Sequence, residues 1–128
     1  MKVENNAALE EYKRIIKIFG ASESSFDVAE RERIILAIKD GRIIVNEDET
    51  IDVVLKTPIK MENTTIPEIK LQEPTTTDLE KIDKIDRTQG VLADKKLIEI
   101  MTKQPIGVIG HIKSRDFALI NQLIKLFF

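Results

Sequence analysis

The sequence predicts an α+β protein, with an amino-terminal helical hairpin, a small antiparallel sheet of about three strands and a helical carboxy-terminal half. Three observations carry that expectation. Apolar residues recur at three and four spacing up to Lys39, alternate with polar ones between Arg42 and Leu71, and return to helical spacing after Pro74. The length, 128 residues, is about that of one domain. A composition of 42% apolar and 33% charged residues is globular.

Between Asn5 and Phe19, Leu9, Tyr12, Ile16 and Phe19 fall on one helical face, widened by Ile15, and Gly20 stands where a left-handed cap would close the helix. Ala21 to Ser25 is a polar connection. Asp27 and Glu30 form a capping pair ahead of Val28, Ile34, Ile35 and Ile38, and Asp40 with Gly41 ends this second helix. Two helices so close in sequence make a hairpin over residues 1–45, whose plain role is packing or oligomerisation.

Residues 46–128 are assigned to an α+β domain that the strand run before them leads into. Arg42 to Val45 is a short β-branched run, Asn46 to Glu49 a polar turn, and Ile51, Val53 and Leu55 then alternate with Asp52, Val54 and Lys56. Thr57 and Pro58 are expected to break that strand, Asn63 to mark a turn, and Ile69 and Leu71 to belong to a third strand. After Pro74, Thr77 and Glu80 have the spacing of a capping box, Leu79, Ile82 and Ile85 mark a face, and Gln89 with Gly90 is the expected end of that helix. A helix from Asp94 to Lys103 presents Leu97, Ile98 and Met101. Gln104 and Pro105 stop it, Gly107 and Gly110 bracket a short apolar turn, and Ser114 is the expected N-cap of a last helix. Its stripe is Phe117, Ile120, Ile124 and Phe127, widened by Leu123.

Composition excludes several kinds of chemistry. There is no cysteine and one histidine, His111, which removes thiol catalysis, disulfides and cysteine or multi-histidine zinc sites. No metal or cofactor is expected. His111 has no nucleophile or orienting acid fixed near it in sequence and reads as a structural or solvent-facing side chain. Asp83 and Asp86 interleave with Lys81, Lys84 and Arg87 as on a solvated helix face, and Glu47, Asp48 and Glu49 lack the alternation of a calcium loop. Gly107 to Gly110 is a Gly-x-x-Gly string without the basic setting that a phosphate clamp needs, so a tight turn is the simpler reading. No enzyme is expected from these residues.

The 20 basic and 22 acidic residues are interspersed, which argues against counterion-release binding to nucleic acid. A winged DNA-binding module over residues 1–56 is the alternative reading, with Asp27 to Lys39 as its recognition helix; Asp27, Glu30 and Glu32 would repel phosphates there. Met1 is followed by no apolar signal region, and the longest apolar run, Ile34 to Ile38, is too short to span a bilayer. A cytoplasmic protein without membrane contact is expected.

The string Leu71, Gln72, Glu73, Pro74, Thr75, Thr76, Thr77, Asp78, Leu79 follows an extended Val54 to Ile59 stretch with a central Pro58 and precedes helices that close on Asp116 and Phe117. It resembles the tail assembly chaperones of Mu-like contractile-tailed phages and prophages, over about Thr50 to Phe128. The motif positions are Leu71, Glu73, Pro74, Thr75, Asp78 and Leu79. They also have a physical reading, because Pro74 holds Glu73 extended and stops the strand, while Thr75 or Thr77 caps a helix whose first turn carries Asp78. The joint is therefore structural before it is functional. The hairpin of the first 45 residues departs from the family pattern.

The resemblance implies a non-catalytic, non-virion protein that binds the tape measure protein, shields its apolar helices and helps recruit tail tube protein. It leaves the winged reading as a prophage-encoded regulator. It also implies a longer frameshifted form of the same chain, for which codons of Leu126, Phe127 and Phe128 could supply the slippery run; self-association is a further expectation. Leu119, Leu123, Leu126 and Phe128 widen the apolar surface of the last helix and are the expected partner-binding residues, with burial in the domain's own core as the competing explanation.

Overall fold

The computed structural model describes residues 4–128. Its elements are α1 (Asn5–Ile18), α2 (Val28–Lys39), β1 (Ile43–Val45), β2 (Ile51–Met61), β3 (Thr64–Leu71), α3 (Thr76–Asp83), α4 (Val91–Thr102), α5 (Ile106–Ile109) and α6 (Ser114–Ile124), with single 3-10 turns at Glu23–Ser25, Arg87–Gln89 and Lys125–Phe127. The three strands form one antiparallel sheet in the order β1-β2-β3. This is the expected α+β class.

The hairpin forms for the reasons its sequence gives. Gly20 takes φ 63° after α1, a conformation that costs glycine little, and the Ala21 N–H closes the turn onto Ile16 O at 3.0 Å. Asp27 and Glu30 complete a reciprocal capping box, with Glu30 N donating to Asp27 Oδ1 at 2.8 Å and Asp27 N to Glu30 Oε1 at 3.1 Å. The inward stripes shift slightly from expectation. α1 buries Ala8, Tyr12, Ile15 and Ile16 while Leu9 stays at the rim, and α2 buries Ile34, Ala37 and Ile38. Val28 is exposed, because it lies about a third of a turn away from that inward face at 100° per residue.

β2 departs from expectation at its centre. Thr57 and Pro58 do not end it; the strand continues to Met61, with a register irregularity between Val54 and Ile59 opposite Glu68 to Ile66. The missing N–H of Pro58 falls within that bulge, where no ladder bond is asked of it. Pro67 occupies the matching stretch of the edge strand β3. Ile51, Val53, Leu55 and Ile59 of β2 and Ile69 and Leu71 of β3 are buried, joining α4 and α6 in a core that also takes in α1 and α2. The residues of the hairpin and those of 46–128 thus share one core, and β1 pairs directly with β2.

In the helical half the caps follow expectation in part. Of the two expected caps, Thr75 and Thr77, Thr75 caps α3 and carries Asp78 in the first turn, so the box pairs Thr75 with Asp78 and not Thr77 with Glu80. α3 ends at Asp83, well before Gln89, because Asp86 accepts the N–H of Thr88 at 3.0 Å and starts a separate turn instead of continuing the helix. α4 begins at Val91, three residues before Asp94. Gly107 sits inside the short α5, and Ser114 is the first residue of α6, whose cap is Lys113 with no side-chain bond to the helix.

Candidate functional site

Leu71 is fully buried at the end of β3, and the next N–H, that of Gln72, donates to Met101 O at 3.0 Å, fastening the strand end to α4. Glu73 is exposed and Pro74 half-buried as the chain turns. Thr75 and Asp78 then close a capping box: Asp78 N donates to Thr75 Oγ1 at 3.1 Å and Thr75 N to Asp78 Oδ2 at 3.0 Å. Lys103, held in a left-handed conformation just past α4, places Nζ 2.8 Å from both Asp78 oxygens. Asp78 is only 4% exposed. The Lys103 ammonium first, and the Thr75 N–H second, hold its carboxyl down at about 2. Five of the six motif residues therefore build or flank one strand-to-helix joint clasped to α4. Leu79, the sixth, is 40% exposed on the outer side of α3.

A second carboxylate is as deeply placed. Asp116, in the first turn of α6, is 1% exposed. It accepts the N–H groups of Lys56 and Thr57, each at 3.0 Å, and the Arg42 guanidinium at 3.1 Å. Lys56 and Thr57 lie within the register irregularity of β2, between Val54 and Ile59. Asp116 thereby ties α6 to β2 and, through Arg42, to the end of the amino-terminal hairpin. In the sequence Asp116 stands out only through its place in the family pattern. A helix-opening Asp with no reciprocal cap three residues earlier was the signal available.

The expected partner-binding residues are not together on a surface. Leu119, Leu123 and Leu126 lie in the core at 1%, 0% and 3% exposure, and Phe128 alone is exposed. They are buried because α6 packs against α2, α4 and β2, so most of its circumference has a neighbour within the molecule. The carboxy-terminal end is further held by an edge-to-face contact of Phe127 with Phe19, centroids 5.0 Å apart, and by Lys125, which pairs with Glu30 and lies over the Phe26 ring.

The other candidates have simple placements. His111 is exposed in the turn between α5 and α6, and Asp83 and Asp86 are exposed around the end of α3. Asp48 accepts from the Thr50 N–H and hydroxyl within the β1–β2 turn, and those bonds lower its pKa. Among the described residues no group of three or more His, Asp or Glu side chains is placed to hold a metal ion, and no helix is long and apolar enough to cross a membrane.

Residues 52–128 match the family model described as phage tail assembly chaperone proteins, E, or 41 or 14. Comparisons with curated proteins and with solved structures give no match.

Proposed function

The chain belongs to the phage tail assembly chaperone family by the match over residues 52–128, more than half its length, and from that premise we propose that it is a non-catalytic binding protein of the infected or lysogenic cell's cytoplasm. It holds the tape measure protein during assembly, covers its apolar helices and brings tail tube subunits to it. The observation that carries this reading is the family match itself, which takes in the joint at Leu71 to Leu79 and all of α6. The exposed Phe128 is the member of the expected binding set that a partner can reach without opening the core. Self-association and a longer, frameshifted form of the chain belong to the same proposal.

The test is co-expression with the tape measure protein of the same tail gene cluster. The expected outcome is that the tape measure protein becomes soluble and co-purifies with this chain. An insoluble tape measure protein, or a soluble one that elutes separately, would overturn the proposal.

A further inference from the structure

Phe128 is 62% exposed and stands as a ridge between two depressions of opposite charge. On one side a cleft of about 270 Å³, with Phe19 and Phe127 among its walls, carries Asp48, Glu49 and Glu73. On the other side a more open groove of about 490 Å³, lined by Leu97 and Ile124, carries Arg87 and Lys125. Among the described residues no cationic side chain lines the first and no anionic side chain lines the second. Lys125 is shared with Glu30, whereas Arg87, Glu49 and Glu73 are in no ion pair among the described residues.

We infer that this ridge is a docking surface for an amphipathic, charge-polarised segment of a protein partner. Its apolar anchor packs beside Phe128, its carboxylate lies over Arg87 and Lys125, and its ammonium or guanidinium lies over Asp48, Glu49 and Glu73. Charge complementarity makes this choice. A uniformly acidic or uniformly basic segment meets repulsion in one of the two depressions, and a wholly apolar one would desolvate the charges of both without compensation. The aromatic ridge supplies contact area and the flanking charges supply orientation. The inference deepens the binding role proposed above and rests on it for the partner's identity.

Fluorescence anisotropy with the full chain tests it, using three synthetic helical peptides that share one apolar stripe: one with lysines at one end and glutamates at the other, one with glutamates throughout, one with lysines throughout. The polarised peptide is expected to bind at least about tenfold more tightly than either uniform one, and Phe128→Ser to cost about tenfold. Arg87→Glu should shift preference toward the lysine peptide and Glu73→Lys toward the glutamate peptide, each by about threefold. All three side chains lie outside the core, and matching melting curves would confirm that the variants fold. Equal binding of the three peptides, binding of none, or indifference to Phe128→Ser would overturn the inference. So would self-association in sedimentation that Phe128→Ser abolishes, since a second copy would then be the occupant. Peptide results and the tape measure experiment separate the two readings: retained co-purification without peptide preference sinks only the ridge, and peptide preference without co-purification sinks only the chaperone reading.

Discussion

At the amino end of α3 the carboxylate in the third helical position, Asp78, turns back to the N–H of its own cap, Thr75. At the amino end of α6 the carboxylate in the same position, Asp116, takes instead the N–H groups of Lys56 and Thr57 from a strand some sixty residues away. Each is buried and each has one cation, Lys103 for Asp78 and Arg42 for Asp116. The difference is in what each carboxylate specifies. Asp78 builds a local joint that its neighbours in sequence already define, and Lys103 only fastens it. Asp116 has no local role and determines how a helix, a bulged strand and the amino-terminal hairpin meet.

That comparison breaks most visibly at Asp116. Asp116→Ala leaves two strand N–H groups and a largely buried guanidinium without their acceptor, and urea denaturation should show a loss of about 3–5 kcal/mol. Arg42→Ala keeps the two backbone bonds and should cost less than Asp116→Ala. A smaller loss from Asp116→Ala than from Arg42→Ala would reverse the ranking proposed for the two.

The α3 joint should respond more mildly and with a pH signature. The Asp78 carboxyl is lowered to about 2 from an ordinary 3.8, so its contribution is fully present above about pH 4 and is lost as pH falls toward 2. The size is at most about 2 kcal/mol, reduced by solvent screening of the half-exposed Lys103. Denaturation midpoints of the wild type and Asp78→Asn should therefore differ by a constant amount near neutrality and converge between about pH 4 and pH 2. A gap that widened on acidification would contradict the pairing. Thr75→Ala should cost about 1 kcal/mol in the same assay, the ordinary value of a lost N-cap. Ser114→Ala should change stability by less than about 0.5 kcal/mol, because Ser114 is inside α6 and caps nothing. A loss near 1 kcal/mol there would restore it as the cap.

The same contrast explains which features were legible from sequence. The Asp27 and Glu30 box, the Gly20 turn, the Ile51, Val53, Leu55 alternation and the joint after Glu73 all depend on residues within a few positions of one another, and each was readable. The continuation of β2 through Pro58 was not, because the N–H groups of Lys56 and Thr57 are satisfied by Asp116, far along the chain, and a local reading sees only a proline in a strand. The fate of Leu119, Leu123 and Leu126 was equally hidden. Their spacing shows an apolar helix with more than one apolar side, but only the positions of α2, α4 and β2 show that those sides are covered from within. At the candidate site, Phe128 was visible as an apolar position, whereas the opposite charges beside it come from segments as separated as the β1–β2 turn, Glu73 and Arg87.

Pro58 and Pro67 have a consequence for how the distal part of the β2–β3 hairpin meets other molecules. Beyond Thr57, whose N–H Asp116 takes, the outer margin of β2 has no neighbouring strand among the described residues, β3 is an edge strand throughout, and each of these margins carries a proline. A foreign strand laid against either would meet a gap in the donor row and a ring in its path. The distal hairpin thus carries its own protection against becoming a template for strand addition.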